Sequence, residues 1–452
     1  MFPPSLQSVA VPTTRSAELR IVELDEHQVR AKGSKIRRTG AAKQQAGWDC
    51  TFGRFSDTLK LDSWSLFHAA IKTELTASWT ASDIERQSLG FALQHDDRLS
   101  WSTGTLCAAG AGPFDLEDFA AAGLAGRLGE AIAYLTMVHW GYVYWDRCAV
   151  VWQRAAQAAR MTHPGQLQRA SIVKRAVRSR RPTSEPDFVF ERTSRDVALM
   201  EAKGSVVNPA KDRPNVKADL SQALKQLDAW TGVITPKPKK SFAIGTYLRG
   251  EDDKSEDPSL IAFVDPPGSS PGTSGGVGPE GPASDAPMPA EGGTPSDVVR
   301  RCNYGAWLSG MGLVQSGSAL RALRERATER LSLPVVRVGQ RDVAITVVGL
   351  RHMAGDLANL FLDPWGFPSP RWHRWLHNRQ VLVIGLQVSV MRALGVALRD
   401  LRARIEAPED SQADSPLTSD NLRYASFMPD GSFVGLLDAD LLEGAKGETF
   451  DL

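Results

Sequence analysis

Two carboxylates and a lysine lie close together in one short stretch of the chain, residues 186–205. Asp187 opens a predicted strand, and Glu201 and Lys203 close a second predicted strand that follows a polar turn. Residues two apart in a strand point to the same face, so Glu201 and Lys203 share a face and Ala202 points away. If the two strands pair, Asp187 lies beside Glu201. The stretch therefore predicts a patch of oxygen ligands and one ammonium group, which suits a hard cation such as magnesium.

The elements around this stretch follow a regular order. An apolar stripe predicts a helix over 115–141, and Glu130 lies off that stripe. A strand at 142–145, the two strands of the hairpin, a helix over 219–230 and a strand at 241–248 come next. Gln222 and Gln226 lie one turn apart on the second helix. The predicted order is thus helix, three strands, helix, strand.

This order and these residues resemble the PD-(D/E)XK nuclease superfamily, whose members have the restriction-endonuclease-like fold. The resemblance covers about residues 115–250. Pro186 and Asp187 match the first half of the motif, and residues 201–203 match its Glu-x-Lys half. The resemblance implies an α/β fold with a mixed central sheet flanked by helices. The regions on either side of this core are expected to form N- and C-terminal α+β elaborations.

The resemblance also implies a role for each site residue. It implies that Mg²⁺, or Mn²⁺ in its place, is held by Asp187, Glu201 and the backbone carbonyl of Ala202, with Glu130 completing this site or holding a second ion. Such an ion lowers the pKa of a bound water and contacts phosphate oxygens. Lys203 is expected to orient the attacking water or to stabilise the developing charge. Gln222, with Gln226 as second choice, is expected to orient a ligand or contact the phosphate.

Composition restricts the class of protein. The chain has 452 residues, enough for two or three domains or for one domain with large elaborations, and its 42% hydrophobic and 23% charged residues are ordinary for a globular protein. The formal net charge is only +1, so affinity for nucleic acid must come from a local basic patch. The four cysteines are far apart, which argues against a zinc ribbon or a disulfide framework and favours the cytoplasm. We expect no membrane partner, because no apolar run reaches roughly 20 residues and no signal-peptide pattern is present.

Shifts in composition divide the chain into five regions. We expect a flexible basic N-terminal arm over 1–45, an N-terminal elaboration over 46–112, the nuclease-like core over 113–264, a disordered Gly/Pro/Ser linker or loop over 265–297 and a C-terminal α+β region over 298–452. The N-terminal regions have a predicted strand at 19–24 and a helix over 58–78. The C-terminal region has predicted helices over 304–313, 318–331 and 381–401, strands at 335–338 and 343–348, and a Pro-Asp-Gly turn at 429–431.

Two basic clusters each allow two interpretations. Residues 150–181 form a basic, helical stretch that leads into Asp187, and a phosphate-contacting role is as consistent with it as a solvated face. Residues 371–379 interleave aromatic and basic side chains, which can bind unpaired nucleic acid. A half-buried helix start is preferred for this second cluster, and His373 and His377 lack an obvious third ligand for a metal site.

The predicted function is phosphodiester hydrolysis by a metal-dependent nuclease. DNA is the favoured substrate, and the resemblance is consistent with a bacterial antiviral-defence endonuclease of restriction type. One alternative is a non-catalytic nucleic-acid-binding or scaffold protein on a nuclease-like fold, and another is a partner-gated toxin effector. Contacts to a protein partner or a second copy are assigned to the C-terminal region. A surface salt bridge of Lys203 would explain the charges, but not the Pro-Asp step, Glu130 and the element order together.

Overall fold

The computed structural model describes the parts of the chain that form two large sheets, one small sheet and the helices around them. The described residues are 15–30, 56–75, 98–101, 104–109, 118–151, 185–192, 196–207, 216–231, 238–251, 259–265, 297–325, 330–347, 380–406, 408, 424–438, 441–442 and 445–452. The strands are β1 Ser16–Glu23, β2 Ser56–Asp62, β3 Leu99–Ser100, β4 Cys107–Ala108, β5 Tyr142–Arg147, β6 Phe188–Arg192, β7 Val197–Val207, β8 Lys240–Arg249, β9 Leu260–Val264, β10 Arg330–Val338, β11 Arg341–Val347, β12 Gln380–Gln387, β13 Ala425–Phe427, β14 Ser432–Asp438 and β15 Lys446–Asp451. The helices are α1 Glu26–Arg30, α2 Ser63–Glu74, α3 Asp118–His139, α4 Val216–Thr231, α5 Val298–Gly310, α6 Val314–Arg321 and α7 Val388–Arg399.

The first sheet has seven strands in the order β2-β1-β9-β8-β7-β6-β5. It is mixed, because β7 pairs with β8 and β1 pairs with β9 in parallel while its other neighbours are antiparallel. Strand β8 is buried along nearly its whole length, which matches its almost continuous apolar sequence. The parallel pair β7–β8 needs a crossover connection, and α4 lies in that connection.

Helices α3 and α4 cover opposite faces of this sheet. In β7, Gly204 lies against the backbone of α3, whereas its neighbour Lys203 contacts Gln226 of α4. Consecutive residues of a strand point to opposite faces. The α/β part of the fold class, a mixed sheet flanked by helices, is therefore confirmed.

The second sheet has six strands, all antiparallel, in the order β13-β14-β12-β11-β10-β15. Alternate residues of β11 belong to two different hydrophobic clusters: Ala344 joins the large core that also includes the first sheet, and Val343 and Ile345 join a smaller one. This alternation is what the two-residue period of a strand produces. The segments before and after residues 265–297 thus share one hydrophobic core.

Three buried ion pairs also connect the C-terminal region to the first sheet and its helices. Each pair has one member in residues 300–430 and one in the preceding part of the chain: Lys72–Asp430, Glu191–Arg300 and Asp146–Arg321. All six side chains are nearly inaccessible to solvent. Buried charges persist in proteins when they are paired, so these contacts link the two halves of the chain at defined points.

The prediction of a flexible arm over 1–45 is wrong for the described residues 15–30. Strand β1 lies inside the sheet, where Leu19 pairs with Leu59 and Ile21 with Ile261. Helix α1 follows it directly. Burial of alternate apolar residues of β1 outweighs the polar composition of the region.

Three predicted helices are wrong over part of their length. The strands predicted at 142–145, 241–248 and 335–338 are confirmed in position, as are residues 19–23 and 343–347 of the strands predicted at 19–24 and 343–348. Residues 56–62 form β2, and α2 begins only after Asp62, whose carboxylate caps Ser65 N at 2.8 Å. The helix predicted over 318–331 ends at Arg321, and Leu331 belongs to β10. The apolar run 381–401 splits into β12 and α7, because its first half pairs with strands on both sides.

Several predicted features lie outside the described residues. These are the basic residues 31–43, almost all of the basic stretch 150–181, residues 266–296 of the linker and the aromatic and basic cluster 371–379. The turn at 429–431 is described and confirmed: it connects β13 and β14, and Gly431 has a φ of 84° that favours glycine.

Candidate active site

Asp187 and Glu201 lie side by side, as the predicted hairpin requires. Strands β6 and β7 are antiparallel and pair Phe188 with Met200, so the residues just beyond this pair face each other. Asp187 N donates to Glu201 Oε2 at 3.0 Å, and Ala202 N donates to Asp187 Oδ2 at 2.9 Å. Each carboxylate is therefore held by a backbone amide from the opposite side of the hairpin, Glu201 by that of Asp187 and Asp187 by that of Ala202.

Lys203 lies next to this pair and is itself held by α4. Its Nζ donates to Glu201 Oε1 at 2.6 Å and to Gln226 Oε1 at 3.2 Å. Gln226 Nε2 in turn donates to the carbonyl oxygen of Glu185 at 3.3 Å. The ammonium group thus has a defined position beside Glu201.

The helix glutamine at the site is Gln226, and not Gln222 as first chosen from the sequence. Gln222 is exposed on α4, whereas Gln226 is half-buried and bonds to Lys203. Residues four apart lie on nearly the same helix face but one turn apart along the axis. The spacing alone could therefore not decide which glutamine reaches the strand.

Glu130 reaches the site because α3 approaches β7 unusually closely. A Cβ on Gly129 would lie 2.6 Å from the Cα of Gly204, and a Cβ on Gly204 would lie 1.9 Å from the carbonyl oxygen of Ala125. Only glycine at these two positions permits this backbone contact. The contact brings the turn of α3 that carries Glu130 next to the middle of β7, where Lys203 lies.

Arg147 is a site residue that sequence reasoning missed. Its guanidinium donates to both oxygens of Glu130, with Nη1–Oε1 at 3.3 Å and Nη2–Oε2 at 2.6 Å. Its Nη1 is also 3.9 Å from Asp187 Oδ1. Arg147 ends β5 directly opposite Phe188. Extending the predicted strand 142–145 by two residues and pairing it with the strand that Asp187 opens could have found it.

A further carboxylate and a further arginine border Glu130. Glu74, at the end of α2, forms an ion pair with Arg127 of α3 at 3.0 Å. Burial raises the pKa of Glu74, with the charge of Glu130 raising it further and Arg127 opposing the shift. Sequence reasoning missed this pair as well, because α2 and α3 are far apart in the chain.

Burial and the nearby charge of Asp187 disfavour the ionised forms of Glu201 and Glu130. Burial raises the pKa of Glu201 to about 7, with the negative charge of Asp187 as the next cause and Lys203 opposing it. Burial also raises the pKa of Glu130, against the opposing effect of Arg147. A bound cation would relieve this repulsion, because a nearby positive charge favours the ionised form of a carboxyl group.

The side chains around Asp187 and Glu201 include oxygen donors of the kind that hard divalent cations take. Four carboxylates, Glu74, Glu130, Asp187 and Glu201, lie among three cationic side chains, Arg127, Arg147 and Lys203, which leaves one negative charge when all are ionised. The amide of Ala202 points to Asp187, and the amide and carbonyl of one strand residue point to the same side. The carbonyl of Ala202 therefore lies on the same side of β7 as Asp187.

Comparisons with known proteins neither support nor oppose this interpretation. The chain has no significant match to a protein-family model, to a curated protein or to a solved structure. Within the described residues, no group of three or more His, Cys, Asp or Glu side chains is arranged to hold a metal ion. None of the helices in that part of the chain is both long and apolar enough to span a membrane.

Proposed function

We propose that the protein is a metal-dependent nuclease that hydrolyses phosphodiester bonds. The observation that carries this proposal is the convergence of Asp187, Glu201 and Lys203 at the end of one hairpin, with Glu130 and Arg147 beside them. The ion pairs leave Arg147, Glu130 and Lys203 with 28, 26 and 25% of their side chains exposed. A substrate can therefore reach the charged groups from solvent.

We also propose the finer fold class, a restriction-endonuclease-like core. Its support is the element order α3–β5–β6–β7–α4–β8, which is the order on which the resemblance to PD-(D/E)XK nucleases depends. Strands β5 to β8 are neighbours in one sheet, and α3 and α4 lie on opposite faces of it. The site lies where the hairpin of this core meets α3.

The proposed roles follow from the chemistry of the side chains. Asp187, Glu201 and the carbonyl of Ala202 would hold Mg²⁺ or Mn²⁺, which supplies charge neutralisation and an acidified water when bound. Lys203 would orient the attacking water and stabilise negative charge on the phosphate. Gln226 would keep the ammonium of Lys203 directed to the reacting atoms through its bond to Nζ.

DNA is the proposed substrate, and a role in bacterial defence is the proposed context. Both rest on the family resemblance alone, since the described residues contain no base-reading element that we can identify. The near-neutral net charge requires that phosphate binding come from local cations such as Lys203 and Arg147.

Cleavage assays with matched variants test the proposal. The wild-type chain would be incubated with linear, circular and single-stranded DNA and with RNA, with and without Mg²⁺ or Mn²⁺. Asp187→Ala is expected to abolish cleavage, and Lys203→Ala to slow it by about 10²–10³-fold. Asp196→Ala is the control, because Asp196 belongs to the same hairpin but pairs with Lys239.

The control should cleave like the wild-type chain. If wild type and Asp187→Ala behave identically on every substrate with either metal, the nuclease proposal is refuted for those substrates. Thermal unfolding of each variant in EDTA verifies that it is folded.

A non-catalytic nucleic-acid-binding protein is the second candidate. It is favoured by the ion pairs that Glu130 and Glu201 already make with Arg147 and Lys203, since these occupy carboxylate oxygens. This function predicts binding of nucleic acid without cleavage in Mg²⁺. It also predicts that Asp187→Ala leaves binding in EDTA unchanged, whereas Lys203→Ala weakens it.

A further inference from the structure

The contact between Arg147 and Glu130 uses the full geometry of both side chains. The guanidinium donates through two nitrogens to two carboxylate oxygens, which is the bidentate arrangement that orients a carboxylate most strongly. Each carboxylate oxygen has two lone-pair directions, so this contact leaves one direction free on each oxygen. Glu130 can therefore contact a cation without releasing Arg147.

Arg147 is itself held from several sides. Its Nη2 also donates to the carbonyl oxygen of Thr73 at 2.7 Å, in the last turn of α2, where the helix dipole favours positive charge. Its Cζ lies 4.3 Å from the ring centroid of Phe188. The preceding residue, Asp146, accepts two hydrogen bonds from Arg321 at 2.7 and 2.9 Å in a buried ion pair. With so many contacts, Arg147 is a fixed group and not a mobile one.

We propose that Arg147 is a positioning residue that orients Glu130 towards the cation bound by Asp187 and Glu201. This inference rests on the proposed metal site. Hydrogen-bonded partners of ligating carboxylates set the orientation of those ligands and increase their affinity for the metal. Arg147 acts through Glu130, and its own positive charge opposes the cation.

The two effects of Arg147 have opposite signs, which makes the inference testable by metal binding alone. Arg147→Lys keeps the positive charge but loses the two-point contact, and Arg147→Gln loses both. If orientation dominates, both variants bind Mn²⁺ about 10–100-fold more weakly than the wild-type chain. If repulsion dominates, Arg147→Gln binds Mn²⁺ more tightly.

A double-mutant cycle links the effect to Glu130. Glu130→Gln is expected to weaken Mn²⁺ binding by about the same factor as Arg147→Gln. Because Arg147 acts through Glu130, the double variant should bind no more weakly than either single variant. Binding is measured by isothermal titration calorimetry with Mn²⁺ and no substrate, so the readout is independent of cleavage.

Arg337→Gln is the matched control. It removes the same charge, but Arg337 pairs with Asp342 across strands β10 and β11 of the second sheet and contacts none of the site residues. Its Mn²⁺ affinity should stay within about threefold of the wild-type value. Thermal unfolding in EDTA shows whether each variant is folded, and Glu130→Gln retains the shape of the side chain it replaces.

The outcomes separate this inference from the proposed function. If the wild-type chain binds no Mn²⁺, the proposed metal site fails, and the inference fails with it. If the wild-type chain binds Mn²⁺ and Arg147→Lys binds it equally well, the metal site stands and the positioning role is refuted. Tighter binding by Arg147→Gln, or losses that add in the double variant, would refute the positioning role in the same way.

Discussion

Lys72→Met tests the buried ion pair that joins α2 to the turn between β13 and β14. Lys72 donates to Asp430, and the two side chains are 2% and 0% exposed. Asp430 also accepts hydrogen bonds from Asn303 Nδ2 at 2.8 Å and from Ser432 Oγ at 2.6 Å. Methionine has a similar length and is apolar, so the substitution removes the charge without opening a large cavity. The carboxylate of Asp430 then remains buried without its counter-charge.

The expected loss of stability can be worked from the pKa of Asp430. Burial acts to raise this pKa, but the charge of Lys72 and the hydrogen bonds of Asn303, Lys72 and Ser432 together hold it below its ordinary value of 3.8. In the absence of Lys72, the least costly state of the buried Asp430 side chain is the protonated, neutral one. At pH 7, protonating the buried carboxylate costs up to about 1.4 kcal/mol for each of about 3.2 pH units between 3.8 and 7, or roughly 4.5 kcal/mol.

This figure agrees with the roughly 3–5 kcal/mol that breaking a buried ion pair costs. We therefore expect Lys72→Met to lower the free energy of unfolding by about 3–4 kcal/mol at pH 7. At pH 5 the carboxyl group is easier to protonate, and the loss should shrink to about 1–2 kcal/mol. Urea unfolding followed by tryptophan fluorescence at both pH values measures the two losses.

A double variant and a surface control complete the experiment. Lys72→Met with Asp430→Asn removes both charges, and the Oδ1 of Asn303, which accepts no hydrogen bond from the described residues, can turn to accept from the new amide. This variant should recover most of the lost stability. Lys60→Met, which removes an exposed lysine 3.7 Å from Glu18, should change stability by less than about 0.5 kcal/mol.

Three results would refute this reasoning. The first is a loss below about 1 kcal/mol for Lys72→Met at pH 7. The second is an equal loss at pH 5 and pH 7, which would mean that the uncompensated carboxylate is not the cause. The third is a double variant no more stable than Lys72→Met, which would assign the loss to packing and not to charge.

Three further perturbations address the α3–β7 contact, a buried histidine and the site carboxylates. Gly204→Ala would place a Cβ 1.9 Å from the carbonyl oxygen of Ala125 and should lower the unfolding temperature markedly. The Cβ in Gly126→Ala meets nothing within 4 Å, so this variant should stabilise α3 by up to about 1 kcal/mol. Equal effects of the two substitutions would contradict the close contact. Burial, followed by the charge of Lys72, lowers the pKa of His68 to about 3, so below about pH 6.5 only the unfolded chain gains this proton. The free energy of unfolding should therefore decrease as the pH is lowered from about 6.5, by up to about 1.4 kcal/mol per pH unit. Parallel pH–stability curves for wild type and His68→Gln would count against this. The pKa of Glu201 at about 7 means that protons compete with a metal, so calorimetric Mn²⁺ affinity should rise by up to about tenfold per pH unit below pH 7 and level off above it, and a flat profile would argue against Glu201 as a ligand.

The hairpin of the candidate site could be predicted from the sequence because all of its determinants are local. The Pro-Asp step, the polar turn and the Glu-x-Lys spacing lie within 20 residues, and the two-residue period of a strand decides which side chains share a face. The structure bears out the pairing of Asp187 with Glu201 and the position of Lys203 beside it. Their roles in catalysis stay predictions.

Apolar runs were less informative, since helices and buried strands both contain them. Residues 381–401 are largely apolar, yet the stretch divides at Gln387 into an interior strand and a helix. Only the neighbouring strands β11 and β14 decide this, because they supply the hydrogen bonds that make β12 a strand. Strand β1 is a similar case, as its partner β9 lies more than 200 residues away in the chain.

The sequence by itself determined the hairpin that carries two carboxylates and a lysine, together with the order of helices and strands around it. Only the tertiary structure decided that Arg147 contacts the Glu130 carboxylate, that Gln226 and not Gln222 contacts Lys203, and that the C-terminal region is joined to α2 through Lys72. The physical reason is the range of the interactions. Strand alternation and turn chemistry act between near neighbours in the chain, whereas a buried ion pair or the phase of a helix against a sheet depends on segments that only folding brings together.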